Sequence, residues 1–230
     1  MNMVTIEDII KLEISKEDVI LCIEKTKKHE FINNLRYRHK NVQFDCKLRG
    51  YIGELAIAKW FANNDITLSS TNYLEDGENI DIDFLVKGKN IELKTSLIPD
   101  ADKNLATTIS KRDIKLIKRG NDSIEQLRGD IHMQIYFSHK TKERDNWLKT
   151  QDINLHNDSE YLYNKFQADQ YLNTTFFVAW IDKPSLITKI NSIPISQRYW
   201  SFRYSQRFFW NCKLNVSRKP IELISYINNL

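Results

Sequence analysis

The sequence predicts a single α/β domain. Three patterns point to it: capping motifs followed by helical spacing within the first 64 residues, two apolar strand segments joined by a glycine turn at 81–95, and strict alternation at 131–137. Thr5 with Asp8, and Ser15 with Asp18, have capping-box spacing, so the first forty residues read as two helices, the second continued by Ile20, Ile23 and residues 27–31. Residues 49–64 place Ile52, Ala56, Lys59 and Trp60 at helical spacing, with small Gly53, Ala56 and Ala58 permitting close packing, and read as a buried helix. Residues 81–86 and 91–95 are strands around a turn at 87–90 containing Gly88, which makes a hairpin. A loop with Pro99 follows, and residues 110–118 read as a helix capped by Ser110, with Asp113 at its third position. Ile131, Met133, Ile135 and Phe137 alternate with His132, Gln134 and Tyr136, a strand whose second face reads as polar and outward. Residues 159–172 read as a helix, 176–181 as an inner strand and 185–191 as a helical turn. Residues 198–212 read as extended hairpin material, and Pro220 opens a last helix.

The chain has 230 residues, 41% hydrophobic and 28% charged, enough for a good core and unlike a mini-protein or a disordered tail. With six Gly and four Pro, the collagen-like and low-complexity classes are excluded. No segment approaches the roughly 18 consecutive apolar residues of a spanning helix, and acids interrupt the apolar N-terminal stretch. The expectation is a cytoplasmic protein with no membrane partner. Cys22, Cys46 and Cys212 are far apart and lack CxxC spacing, so they read as reduced packing residues. The five histidines lack zinc-ligand spacing, and no GxSxG, Walker or GxGxxG motif occurs.

Net charge is only +4, but its distribution is uneven. Residues 183–220 contain no Asp or Glu and eight Lys or Arg, interleaved with Tyr199, Trp200, Phe202, Tyr204, Phe208, Phe209 and Trp210. Cations mixed with flat rings suit phosphates and bases, so nucleic acid is the expected partner. Two more basic regions, 25–49 and 103–128, flank an acidic island of Glu75, Asp76, Glu78, Asp81 and Asp83.

Those acids lead into the chemistry. Glu92 and Lys94 lie two apart on one strand, so their side chains leave the same face, and Asp83 lies on the neighbouring strand of the hairpin. Close carboxylates resist joint ionisation unless a cation neutralises them, and hard oxygen donors select Mg²⁺. A lysine beside them balances charge growing on a phosphate, which makes an apparatus for phosphodiester hydrolysis.

Asp83 followed by Ile91-Glu92-Leu93-Lys94-Thr95 resembles the PD-(D/E)xK motif of restriction-endonuclease-like nucleases, and Gly50-Tyr51-Ile52-Gly53-Glu54 is similar to a helix that adds an acid to that site in many members. The resemblance spans residues 49–95 and departs from the pattern where Ile82, not proline, precedes Asp83. It implies a restriction-endonuclease-like central mixed β-sheet flanked by helices. Within it lie N-terminal helices at 1–48, a catalytic core at 49–138 and a basic, aromatic DNA-binding segment at 183–220. It also implies Asp83, Glu92 and Glu54 as catalytic metal ligands, the Leu93 carbonyl in the same shell, Lys94 near the attacking water, and Mg²⁺ as cofactor. Asp83 is preferred over Asp81, which stays open as an alternate acid two residues further out. The expected activity is that of a homodimeric type II restriction endonuclease cutting a short site in double-stranded DNA to leave 5′-phosphate ends. Lys111, Arg112, Lys115, Arg198, Arg203 and Arg207 are the expected DNA contacts. A repair or junction-resolving nuclease and an inactive DNA-binding protein are the alternatives.

Overall fold

A computed structural model describes residues 3–28, 38–70, 82–119, 122–201 and 207–230. In chain order the elements are β1 (Ile10–Lys11), α1 (Lys16–Lys27), α2 (Lys40–Ala62), β2 (Ser69–Ser70), β3 (Phe84–Val86), β4 (Lys89–Ile98), α3 (Leu105–Lys111), β5 (Ile117–Lys118), β6 (Ile131–Lys140), α4 (Thr141–Thr150), α5 (Ser159–Lys165), β7 (Thr175–Asp182), α6 (Lys183–Asn191), β8 (Tyr199–Ser201), β9 (Phe208–Trp210) and α7 (Glu222–Asn228). The central sheet runs β1-β7-β6-β4-β3-β2; β4 and β6 are parallel and the other neighbours antiparallel, so it is mixed. A small antiparallel sheet, β5-β9-β8, lies apart from it in hydrogen bonding. The α/β class and the mixed sheet flanked by helices are as the sequence predicts.

Both sheet faces are covered, because β4, β6 and β7 carry apolar residues on each side. Ile91, Leu93, Met133 and Ile135 share one core with Leu48, Ile52, Ile57 and Phe61 of α2. Ile98, Tyr136, Val178 and Ile181 share a second core with Ile109 of α3, Leu186 and Ile190 of α6, and Trp210.

The spacing of α2 against the sheet is set by one glycine. A Cβ at Gly53 would fall 2.5 Å from Thr95 Cγ2 and 3.4 Å from Ile135 Cδ1, so only glycine lets the helix lie this close to β4 and β6. A Cβ at Gly50, one turn earlier, meets nothing within 4 Å. Gly53→Ala is therefore expected to destabilise the fold by about 1–3 kcal/mol through overpacking, while Gly50→Ala gains up to about 1 kcal/mol of helix propensity. Urea denaturation of both variants checks the pair, and equal shifts of the same sign would contradict this packing.

Several local expectations are corrected. The Thr5–Asp8 box heads only a single 3₁₀ turn, Ile6–Asp8, whereas the Ser15–Asp18 box does open α1. Helix α2 starts at Lys40, nine residues before position 49, because the polar residues Asp45 and Arg49 are buried in it. The helix placed at 110–118 lies earlier: Asn104 caps α3 by accepting from Thr107 N, and Ser110 Oγ donates back to the Thr107 carbonyl inside the helix. Arg112 then turns to extended backbone, held by Asp102. The helix at 159–172 breaks at Gln167, whose φ of 49° is left-handed, and resumes as a 3₁₀ turn. The turn expected at 185–191 is a helix, α6, capped by Asp182 with Pro184 in its first turn. The polar face of β6 does not meet solvent: His132 is 1% exposed and Gln134 0%. Helix α4 answers to no sequence expectation. Among the described residues no helix is long and apolar enough to cross a membrane.

Candidate active site

The β3–β4 turn is local chemistry. Lys87 and Gly88 both take positive φ, 45° and 76°, and reverse the chain so that Phe84 pairs with Ile91. β3 is short, and beyond it β4 runs on without that neighbour, with Asp83 at the junction. Asp83 N–H donates to the Ile91 carbonyl at 2.9 Å, and its Oδ2 accepts from Leu93 N–H at 2.6 Å. The aspartate thus lies along the edge of β4 where, among the described residues, no strand continues the pairing of β3. The N–H and C=O of one strand residue leave on the same side, so the Leu93 carbonyl faces this edge too.

Glu92 and Lys94 leave the sheet face opposite α2, as their even-numbered positions require. Their ion pair is 2.8 Å, Nζ to Oε1, and the other carboxylate oxygen, Oε2, accepts from His132 Nδ1 at 2.9 Å. Glu54 approaches from α2 and pairs with Lys25 of α1 at 3.4 Å. Lys25 and Lys47 both lie over the Tyr51 ring, at 4.1 and 4.8 Å, so α1 and α2 put two cations beside Glu54. Gln134, in register with Lys94, donates to the Lys94 carbonyl and to Ser96 Oγ, and accepts from Lys115 N–H, which ties β4 to the segment after α3. A cleft lined in part by Glu92, Arg119, Gln126, Arg128 and Trp210 opens beside the pair.

The three acids are not shifted alike, for identifiable reasons. Burial pushes Asp83 up to about 7, and the Glu54 carboxylate adds to it, against Lys94 and the Leu93 amide. Burial raises Glu54 as well, opposed by Lys25, Lys47 and Lys94. Glu92 is buried too, but the His132 hydrogen bond and Lys94 outweigh burial and hold it down at about 2. Between about pH 4 and 7 the unfolded chain has released the Asp83 proton and the folded chain keeps it, so this group lowers stability as pH rises through that window. Glu92 acts oppositely: its contribution is complete above the ordinary glutamate range and is lost as pH falls toward 2. In EDTA, Asp83→Asn is expected to flatten the fall in melting temperature from pH 4 to pH 7. Parallel wild-type and variant curves would show that Asp83 is not the group involved.

Asp83, Glu92 and Glu54, with Lys94, lie close enough for their charges to act on one another: Asp83 feels Glu54, Lys94 and Glu92, and Glu54 feels Lys94. Asp81 lies outside the described residues, as does Arg203. Among the described residues no three His, Cys, Asp or Glu side chains close on a common point that would hold a metal ion. The donor chemistry, carboxylates with a backbone carbonyl, fits Mg²⁺; as placed, the side chains are engaged by Lys94, His132 and the Leu93 amide instead.

The described residues among the expected DNA contacts differ in setting. Lys111 is exposed at the end of α3. Arg112 is committed to a bidentate pair with buried Asp102, at 2.6 and 2.8 Å. Lys115 is half-buried rather than on an exposed helix face; burial and the Arg49 charge push its amine down to about 8. Arg198 caps the end of α6, donating to the Asn191 and Ile193 carbonyls and to Asn191 Oδ1. Arg207 is exposed beside β9. No protein-family model, no curated protein and no solved structure matches this chain.

Two features lie beyond the sequence reading, which weighs His132 and Gln134 as lining the site but prefers an outward polar face for them. His132 meets Glu92 only because β4 and β6 pair in parallel with those residues opposite each other, a register no local pattern encodes. The second is a buried network around Asp45, whose oxygens accept from Arg49 at 3.0 Å, from Arg144 at 2.7 Å and from the Tyr171 hydroxyl. Cys22 and Cys212 are buried thiols pushed up to about 12 and 11, inert as packing residues should be.

Proposed function

We propose that this chain is a Mg²⁺-dependent nuclease that hydrolyses DNA phosphodiester bonds. The observation that carries the proposal is the mutual influence of Glu54, Asp83, Glu92 and Lys94 beside β4, with Lys25 paired to Glu54. Asp83, Glu92, Glu54 and the Leu93 carbonyl would hold the cation. Bound Mg²⁺ supplies charge neutralisation for these acids and polarises a phosphoryl oxygen.

The chain's own groups do the rest. Glu92 is ionised across the neutral range and needs no proton removed before it can bind a cation. The Lys94 ammonium donates to the developing charge on the phosphate or orients the attacking water. Water oxygen attacks phosphorus, the bond to the 3′ oxygen breaks, and the proton released from water ends on that oxygen, leaving a 5′-phosphate. Lys25 and Lys47, the cations beside Glu54, favour the approach of a polyanion to these acids. One site per chain cuts one strand, so a double-strand break calls for two copies related by two-fold symmetry, the arrangement of a type II restriction enzyme.

Digestion of a defined plasmid with Mg²⁺, beside a Glu92→Ala control, tests the reading. Discrete products with 5′-phosphate ends, absent from the control, are expected. A smear would replace site specificity with a structure-directed or nonspecific nuclease, and intact plasmid with retained binding would identify an inactive DNA-binding protein.

A further inference from the structure

His132 is buried, 1% exposed, with Nδ1 2.9 Å from Glu92 Oε2. An ionised carboxylate only accepts, so Nδ1 carries the hydrogen of this contact. The Glu92 carboxylate is therefore held at both oxygens, Oε2 by an imidazole fixed inside the sheet layer and Oε1 by Lys94, whose side chain is 25% exposed. The space for this pair is reserved: a Cβ on Gly129 would fall 2.8 Å from His132 Cε1 and 3.1 Å from Glu92 Cβ, so only glycine fits beside it. His132 Nε2 has no hydrogen-bond partner among the described residues, so the contact with Glu92 is the imidazole's polar anchor.

The two holders differ in kind. The imidazole is immobile and directional, whereas the lysine ammonium is a charge on a flexible stem that reaches solvent. We infer that His132 is a positioning residue that fixes the Glu92 carboxylate for a divalent cation, and that the Lys94 ammonium, paired to the same carboxylate, competes with that cation for it. This rests on the nuclease reading of the same site. It gives Lys94 a purpose of its own, neutralising a buried acid.

The two neighbours of this one carboxylate, His132 and Lys94, are expected to act on cation binding in opposite directions. Calorimetric titration of Mg²⁺ alone, without DNA, into wild type and variants reads them directly. His132→Leu is expected to weaken Mg²⁺ binding by about 10–100-fold, the usual cost of losing a partner that orients a ligand. His132→Asn, whose amide N–H can replace the Nδ1 donor, is expected to restore most of it. Lys94→Met, which removes the competing cation, is expected to bind Mg²⁺ at least as tightly as wild type while losing cleavage. Wild-type affinity in His132→Leu, equal weakening in the leucine and asparagine variants, or weaker binding in Lys94→Met would each overturn the inference. If the leucine variant does not fold, His132→Gln, which displaces the donor while keeping polarity, takes its place with the same expected loss. Absence of Mg²⁺ binding by wild type would instead overturn the nuclease reading itself.

Discussion

Replacing Lys94 by alanine is expected to slow Mg²⁺-supported DNA cleavage by about 10²–10³-fold, the scale of losing one charged donor aimed at a transition-state oxygen. The fold should be little affected, because the Lys94 side chain is partly exposed and its carbonyl is held independently by Gln134. The effect belongs in the rate of the chemical step under saturating protein, with DNA affinity nearly unchanged, since one cation among several contributes modestly to polyanion binding. Lys94→Arg should rescue poorly, because a planar guanidinium beside Glu92 makes a bidentate clamp instead of a releasable point charge. A single-turnover rate within a few fold of wild type would remove Lys94 from the reaction.

Arg144→Met is expected to cost about 3–5 kcal/mol of stability, the usual result of removing one partner from a buried ion pair. Asp45 is fully buried, and its carboxyl stays ionised because Arg49 and Arg144 outweigh burial. Arg144 belongs to α4, donates twice to Asp45 Oδ1 of α2 and once to the Phe166 carbonyl at 2.8 Å, so it pins α2, α4 and the end of α5 together. The guanidinium also lies over the Tyr171 and Trp147 rings. Because α2 carries Glu54 and sets its distance from the sheet through Gly53, this network stabilises the site from the far face. Urea denaturation measures the loss; a change below about 1 kcal/mol, the value of an exposed pair, would mean the network is not energetically buried.

Much of this organisation is legible in the chain because it is local. The Lys87–Gly88 turn and the apolar segments around it specify the hairpin, and period two alone puts Glu92 and Lys94 on one face. The Ser15 box specifies the start of α1 for the same reason. What sequence reasoning misplaced depends on distant partners. Residues 25–49 read as a basic region, yet Asp45 within it is buried because Arg144 and Tyr171, 99 and 126 residues away, meet it there. His132 and Gln134 read as an outward polar face; the parallel β4–β6 register turns them onto Glu92 and Lys94 instead. Asn104 outcompetes Ser110 as a helix cap because its side chain already accepts from Thr107 N–H, a choice between two good capping residues that spacing does not decide. Arg112 and Arg198 resemble free phosphate contacts in a basic sequence and are consumed by Asp102 and by the end of α6.

We propose DNA cleavage by one set of carboxylates that a divalent cation neutralises. The most direct measurement is the conversion of supercoiled plasmid to nicked and linear forms, in Mg²⁺ and in EDTA, by wild type and by an Asp83→Asn, Glu92→Gln double variant. Conversion by wild type in Mg²⁺ alone, with none in EDTA and none by the double variant in either, is the expected result. Cleavage that persists in the double variant or in EDTA would contradict it and place the chemistry elsewhere in the chain.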